Sequence, residues 1–189
     1  MEASRTRLHL MITLGMILGF ALSASGAEAS GSKCKVKRRK FSYYLQQEIG
    51  LNELIMVQPA RAPVNGTATG FGQEMVYEFT MTKVKNPSSA VMGYVRGTAI
   101  AVNNTAAATV FFVSNVVHID YKGLKGTLVQ QGEAVFTEDS WEVSIVGGTG
   151  DFRNAFGYSV GKPISITPTP SGRLHVVTRY RAYFWLRRC

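Results

Sequence analysis

The chain has 189 residues, of which 46% are hydrophobic and 17% are charged, and its formal net charge at pH 7 is +9. This length provides one ordinary domain with room for a core and excludes a large multi-domain assembly. The basic balance is compatible with an anionic partner, and simple solubility is the plainer explanation.

The N-terminal segment has the features of a secretory signal peptide. Two arginines precede an apolar stretch from Leu8 to Leu22, and Ala27–Ala29 has the small-x-small form of a cleavage site. The apolar stretch is short for a membrane span. We therefore expect residues 1–29 to be removed and residues 30–189 to form a single secreted domain, with a retained anchor as the alternative.

Much of the positive charge lies near the two ends of this expected mature chain. An exported protein rarely meets nucleic acid, so an anionic cell-wall polysaccharide or an acidic lipid is the expected partner of such a surface. The residues concerned are Lys33, Lys35, Lys37, Arg38, Arg39 and Lys40 at one end, and Arg179, Arg181, Arg187 and Arg188 at the other.

The sequence contains two cysteines, Cys34 and Cys189. In an oxidising compartment this pair suggests one disulfide that ties the termini together, with free or intermolecular thiols as the alternatives. Two sequons predict N-glycosylation at Asn65 and Asn103, which agrees with export.

Alternation of apolar and polar residues is the dominant pattern after residue 40. It predicts strands, because the alternating segments are rich in β-branched and aromatic side chains. Turn signals separate the segments, at a spacing that favours an antiparallel sheet closing on itself. Helix is expected only as a short turn within Gln46–Met56. The clearest strand segments are 71–82, 109–120, 126–136, 141–146 and 174–186.

The glycine-rich segment 144–159, SIVGGTGDFRNAFGYS, raises the question of a phosphate-binding loop. A dinucleotide fold needs this loop between a parallel strand and a helix, followed by further βα units. Here only strand-like segments follow, and Arg153 stands where the last glycine of the motif belongs. We therefore interpret the glycines as a tight turn between strands.

Other standard chemistries find little support in the sequence. His118 and His175 are far apart and lack the spacing of zinc ligands, so no metal site is expected. No nucleophile elbow is present, although a triad set by geometry alone stays open.

The segment Ile145–Tyr158, I-V-G-G-T-G-D-F-R-N-A-F-G-Y, resembles the signature of plant dirigent proteins, V-V-G-G-T-G-x-F-x-x-A-R-G. Gly93–Gly97 and Lys125–Leu128 are similar to that family's G-R-A-x-G and K-G-T-L segments. The aromatic opening strand Phe41–Tyr44 and the Phe71-Gly72 pair agree in order, and the similarity covers roughly Cys34 to Cys189.

This resemblance implies an all-β fold, an eight-stranded antiparallel β-barrel of the kind shared with allene oxide cyclases. It also implies a homodimer or homotrimer in the apoplast. The implied activity is stereoselective coupling of phenoxy radicals, for example from coniferyl alcohol. A separate oxidase or peroxidase makes the radicals, so the dirigent protein itself has no cofactor.

Several polar pocket residues of lignan-forming dirigent proteins have no counterpart here. The two family aspartates correspond to Gln47 and Ala134, and the two family tyrosines to Ala99 and Ala101. The family arginines correspond to Trp141 and Phe156. The pocket could therefore suit a different phenol, or the barrel could lack the coupling chemistry.

Two glutamates and six aromatic residues are the candidate site residues. Glu74 and Glu78 share the polar face of one strand and are weak candidates for a catalytic acid, with a solvated outer face as the alternative. The aromatic candidates for the pocket are Tyr43, Tyr77, Tyr94, Trp141, Phe156 and Tyr183.

Two further function classes stay open. Ala155-Phe156-Gly157 is closer to the A-Y-G of allene oxide cyclases, which supports a barrel that cyclises a reactive oxylipin. The basic termini support a non-enzymatic barrel that binds cell-wall carbohydrate.

Overall fold

The computed structural model describes residues 34–59, 69–105 and 108–188. Within these residues the chain forms nine antiparallel strands and no helix, so none that could span a membrane. The strands are β1 (Lys35–Glu48), β2 (Glu53–Val57), β3 (Glu74–Thr82), β4 (Val91–Asn104), β5 (Thr109–Tyr121), β6 (Leu124–Ala134), β7 (Trp141–Gly150), β8 (Ala155–Pro168) and β9 (Leu174–Arg188).

Eight of these strands close into a barrel, which confirms the predicted fold class. Hydrogen bonding follows the order β1-β9-β8-β7-β6-β5-β4-β3, and β3 returns to β1. The closing pairs run from Tyr44 opposite Thr82 to Gln46 opposite Thr80. The ninth strand, β2, pairs with the other half of β3 and therefore lies beside the closed ring.

Side-chain alternation decides which residues fill the barrel. Along β5, Phe111, Val113, Val117 and Ile119 are buried, whereas the alternate residues Phe112, Ser114, Val116 and His118 are more exposed. Because successive side chains of a strand point to opposite faces, each strand has one face in the core and one outside. The same parity places Asn115 at an inward position of β5, among apolar neighbours.

The glycine-rich segment is a turn between the antiparallel strands β7 and β8, as the sequence indicates. Gly150 has a φ of +58°, which costs a glycine little. The Asp151 carboxylate accepts a hydrogen bond from the backbone N–H of Lys125 at 2.8 Å, which fixes the turn to β6.

The short helical turn expected within Gln46–Met56 is replaced by strand and turn. β1 continues to Glu48 because its pairing with β9 continues to that residue, opposite His175. The Asn52 side chain then accepts a hydrogen bond from the Glu48 backbone N–H at 2.7 Å, and β2 begins at Glu53. Tertiary pairing thus determines the local conformation here.

Candidate functional site

A cavity of about 230 Å³ lies inside the barrel. Its lining has the character of a site for a small organic ligand, since such sites are concave and mostly apolar with a few polar groups. Its apolar wall includes Leu45, Phe79, Val95, Ala99, Val113 and Phe136.

Tyr77, Asn115 and Glu53 form a polar group in the cavity wall. The Asn115 side-chain nitrogen lies 3.4 Å from the Tyr77 hydroxyl, to which it donates. The carbonyl end of the same amide is buried and has no hydrogen-bond partner among the described residues. Glu53 is the cross-strand neighbour of Tyr77, on β2. A ligand hydroxyl in the cavity could satisfy the free end of the Asn115 amide.

Tyr180 and Trp141 form a second polar contact in the wall. The indole N–H of Trp141 donates to the Tyr180 hydroxyl at 3.0 Å, and both side chains line the cavity. The Phe136 ring packs edge-on against Trp141, with centroids 5.0 Å apart. This aromatic corner offers flat apolar surfaces and a hydroxyl group to a bound ring.

Two amide side chains complete the polar lining. Gln130 donates to the Ser159 hydroxyl at 2.6 Å, and Gln47 donates to the Thr178 hydroxyl at 3.3 Å. Gln47, which the resemblance matches to a family aspartate, lies in the cavity wall. An amide there can hold a ligand by hydrogen bonding but cannot act as an acid.

Burial raises the pKa of three polar groups in the cavity wall. It raises the pKa of Tyr180 to about 12, against a lowering effect of the Trp141 hydrogen bond. It also raises the pKa of Tyr77, and to a greater extent than the Asn115 hydrogen bond lowers it. Desolvation likewise raises the pKa of Glu53. The tyrosines therefore stay protonated at neutral pH and can donate hydrogen bonds, while desolvation shifts the equilibrium of Glu53 towards its neutral form.

The structure brings two of the six aromatic candidates, Tyr77 and Trp141, to the cavity wall. Tyr43 is buried in the core beside the cavity. Its ring stacks on that of Tyr180, with centroids 5.5 Å apart and planes at 7°.

The other three aromatic candidates lie on the outside of the barrel, so the expectation that they line the substrate pocket is corrected: none is in the wall of this cavity, and Tyr94 borders a pocket on the outer surface. Tyr94 stacks on His118, Phe156 on Trp185, and Tyr183 on Tyr158. Strand parity is the reason, because each occupies an outward position.

Both glutamate candidates are on the outward face of β3, opposite in direction to Tyr77. Glu78 forms an exposed ion pair with Arg96, and Glu74 is half-buried outside the cavity wall. Their positions agree with the alternative interpretation, in which this polar face lies on the outside of the barrel. Among the described residues, Glu53 is the carboxylate that lines the cavity.

Sequence reasoning missed several polar residues of the cavity wall, including Glu53, Asn115, Gln130 and Tyr180. Asn115 has a readable signal, because it is the polar member of an otherwise apolar inward series on β5. Glu53 has none, because its strand has no clear alternation and was expected to include helix.

The predicted modification sites fall partly outside the described residues. Cys34 is disulfide-bonded, while its predicted partner Cys189 and the sequon residue Asn65 are not described. Asn103 is exposed near the end of β4. In the described ranges, no three metal-ligating side chains cluster together.

The closed ring of eight antiparallel strands, with a cavity inside it, defines the class of the fold as an antiparallel β-barrel. Within that class, the family model described as dirigent-like protein matches residues 39–184 of the chain. The chain belongs to the dirigent family, which confirms the resemblance carried by the glycine motif.

Two curated relatives come from Arabidopsis thaliana. Dirigent protein 21 is 26% identical over 190 residues, which span 94% of this chain and 98% of that protein. Dirigent protein 11 is 26% identical over 145 residues, which span 76% of this chain and 72% of that protein.

Two solved structures share the fold. The pterocarpan synthase dirigent protein GePTS1 has a TM-score of 0.71 at 18% identity, covering 87% of this chain and 99% of that one. The pterocarpan synthase dirigent protein PsPTS1 has a TM-score of 0.68 at 19% identity, covering 81% and 97%. At these identities the comparison supports the barrel architecture.

Proposed function

We propose that this protein is secreted and directs the stereochemistry of phenoxy-radical coupling of a small phenol of the coniferyl alcohol type. The radicals come from a separate oxidase or peroxidase. The observation that carries the proposal is the apolar cavity, whose wall contains the buried Asn115 carbonyl oxygen without a hydrogen-bond partner among the described residues. Membership of the dirigent family supports this class of activity.

The size of the cavity favours one bound phenol rather than a coupled dimer. Its volume of about 230 Å³ lies below the roughly 300–1,000 Å³ of sites for drug-sized ligands. One radical therefore occupies the cavity, with one face of its ring against the wall. The second radical approaches the face that remains accessible.

The chemistry asks little of the protein beyond orientation. Each of the two radicals contributes one unpaired electron to the new carbon–carbon bond, so the coupling needs no further oxidant. Selectivity needs only a difference between two bound orientations, and about 1.4 kcal/mol gives a tenfold preference. Hydrogen bonds to a fixed hydroxyl can supply such a difference.

Asn115 and Tyr77 are the groups proposed to fix the orientation. The free end of the Asn115 amide can accept a hydrogen bond from a phenol side-chain hydroxyl, and Tyr77 can donate one. Trp141 and Phe136 provide the apolar surface on which the ring packs.

Chiral chromatography of the coupling products tests the proposal. Coniferyl alcohol and a one-electron oxidant are combined with and without the protein, and an enantiomeric excess is expected only with it. Asn115→Leu should reduce the excess several-fold or more, whereas Tyr94→Phe on the outer face should leave it unchanged. A racemic product with the wild-type protein would exclude stereoselective coupling of coniferyl alcohol as its activity.

Acid-assisted ring closure is a second candidate, favoured by the position of Glu53 in the cavity wall. Two solved structures with the same fold are named pterocarpan synthase dirigent proteins, and these names also suggest a synthase activity. A neutral carboxyl can protonate a benzylic hydroxyl of a bound phenol, so that the carbon–oxygen bond breaks and water leaves. A second hydroxyl of the same molecule then adds to the carbon and returns its proton to Glu53.

An assay without oxidant separates the two candidates. A phenol that bears a benzylic hydroxyl and a second internal hydroxyl is incubated with the protein, and ring-closed product is measured. If ring closure is the activity, Glu53→Gln should lower its rate by roughly a hundredfold or more. Glu74→Gln is the matched control outside the cavity wall. Equal rates in Glu53→Gln and wild-type protein would exclude the acid role.

A further inference from the structure

The outer faces of β1, β9 and β8 form a surface that the cavity function does not use. We call it the basic aromatic face. Strand register arranges its outward side chains in rows that cross all three strands, with β9 in the middle. Rows are about 7 Å apart along the strands, because side chains on one face recur every second residue.

The first row consists of Arg38, Trp185 and Phe156. Both Arg38 and Phe156 pair with Trp185 in register, from opposite sides. The Trp185 and Phe156 rings stack with centroids 5.8 Å apart and planes at 19°, and the Arg38 guanidinium lies 6.0 Å from the centre of the Trp185 ring. Phe156 is 45% exposed, so the row presents aromatic surface to solvent.

The second row repeats this arrangement with Lys40, Tyr183 and Tyr158. The two tyrosine rings stack with centroids 5.2 Å apart and planes at 26°, and the Lys40 ammonium group lies 5.3 Å from the centre of the Tyr183 ring. Two successive rows thus place a cation beside a pair of stacked rings.

The following rows extend the positive charge. Arg181 lies between Ser42 and Val160, and Arg179 lies between Tyr44 and Lys162. No outward position of these rows is acidic, and the ion pairs that the described residues form involve other cations. The cations of the face, with the flanking arginine of β9, are Arg38, Lys40, Lys162, Arg179, Arg181 and Arg187.

We propose that the basic aromatic face binds a linear polysaccharide that carries carboxylate groups. Sugar rings present apolar C–H faces that pack on the stacked aromatic rings, while their carboxylates pair with the cations beside them. The rows from Arg38 to Tyr44 extend over about 20 Å, long enough for several consecutive sugars.

The charge of the face distinguishes this occupant from a second copy of the chain. Two basic aromatic faces packed on each other would bring cations against cations without an intervening acid, which opposes association. Nucleic acid shares the required charge, but the signal-like N-terminus predicts export, and outside the cell carboxylated polysaccharide is the abundant polyanion.

Tryptophan fluorescence can report the face and the cavity separately. The sequence has two tryptophans, of which Trp141 lines the cavity and Trp185 lies on the face. In Trp141→Phe, Trp185 is the remaining reporter, and polygalacturonate should change its emission at low salt. Fully methyl-esterified polygalacturonate, which lacks the charge, should change it much less. High salt should weaken the binding, because the contacts are exposed and charged.

Paired charge variants decide whether the face itself is the site. Arg38→Gln/Lys40→Gln should weaken the affinity for polygalacturonate by about tenfold. The control Lys122→Asn/Lys125→Gln removes the same charge from the β5–β6 turn, which is not part of the basic aromatic face, and should change the affinity less than twofold. Isothermal titration calorimetry measures the affinity of both double variants with Trp141 retained. The result then does not depend on whether Trp141→Phe folds.

Three results would overturn the proposal. Equal weakening by both double variants would mean that net charge alone drives binding. Tighter binding of single-stranded RNA than of polygalacturonate would identify a nucleic-acid surface. Loss of an oligomer in Arg38→Gln/Lys40→Gln, without loss of polygalacturonate binding, would identify a subunit interface. Because the coupling assay uses the cavity, its outcome is independent of all three.

Discussion

The tyrosine hydroxyls around the barrel cavity differ in their hydrogen bonding. The Tyr180 hydroxyl accepts a hydrogen bond from Trp141 at 3.0 Å, and the Tyr77 hydroxyl contacts Asn115 at 3.4 Å. The Tyr43 hydroxyl is buried without a partner of good geometry among the described residues. The amide of nearby Gln130 donates instead to Ser159. Removing a hydroxyl should therefore have a different effect at each position.

We predict that Tyr43→Phe changes the free energy of unfolding by less than about 1 kcal/mol, because the hydroxyl it removes has no hydrogen-bond partner of good geometry among the described residues. Tyr180→Phe should cost about 1–2 kcal/mol, because it leaves the buried Trp141 N–H unpaired. Urea unfolding of both variants measures the difference. A larger loss in Tyr43→Phe than in Tyr180→Phe would contradict this assignment of hydrogen bonds.

Glu53 should make stability depend on pH. Desolvation raises its pKa in the folded state above the value in the unfolded chain. The folded state then binds the proton more tightly, so the stabilisation is complete below the unfolded pKa of about 4.3 and is lost as pH rises through the folded pKa. Relative to Glu53→Gln, the wild-type protein should lose stability over that window. Urea midpoints of both proteins across the pH range test this, and parallel curves would refute it.

The candidate site shows what a sequence alone can provide at the level of residues. Tyr77 and Trp141 were identified because aromatic residues on an apolar strand face tend to be buried. Asn115 lies on such a face too, but a single polar residue among apolar ones does not by itself indicate a binding site. Glu53 depends on where β2 docks against β3, and no local pattern contains that information.

At the level of elements, the turn between β7 and β8 depends on close backbone approach. A Cβ on Gly148 would lie 2.4 Å from the carbonyl oxygen of Phe152 and 2.5 Å from that of Thr127. Nothing lies within 4 Å of a Cβ placed on the adjacent Gly147. The two glycines of the pair therefore have different structural requirements.

We predict that Gly148→Ala destabilises the protein by about 2–4 kcal/mol, because backbone atoms must move to admit the methyl group. Gly147→Ala should change stability by less than about 0.5 kcal/mol, because its position is open. Thermal and urea unfolding of the two variants provide the comparison. Similar losses in both would mean that the turn requires flexibility at the pair rather than space at Gly148.

Strand prediction succeeded where one face of the strand is buried. Segments such as 109–120 and 174–186 alternate cleanly, and they correspond to β5 and β9. The short strand β2 is exposed along much of its length, so its sequence carries no such alternation. The direction of each face was harder to read, because outward aromatic residues such as Phe156 resemble core residues in sequence.

At the level of the whole molecule, closure of the barrel depends on contacts between distant parts of the chain. The Gln46 side chain donates to Thr82 at 2.8 Å, where β1 meets β3, and its carbonyl oxygen lies 3.0 Å from His175 on β9. One buried side chain thus links three strands. Sequence patterns predict that strands exist, but the resemblance to a known family was needed to predict that eight of them close.

The last prediction concerns the disulfide that is expected to secure this closure. Cys34 is disulfide-bonded, and the next residue, Lys35, pairs with Arg188 at the end of β9. A bond between Cys34 and Cys189 would close a loop that contains all nine strands. It would stabilise the fold by lowering the conformational entropy of the unfolded chain. The double variant Cys34→Ser/Cys189→Ser should therefore lose roughly 3–5 kcal/mol of stability while keeping the barrel. Intact-mass analysis of the wild-type protein, expressed in an oxidising secretory compartment and alkylated, should find no free thiol in the monomer, and two alkylated cysteines would refute the bond.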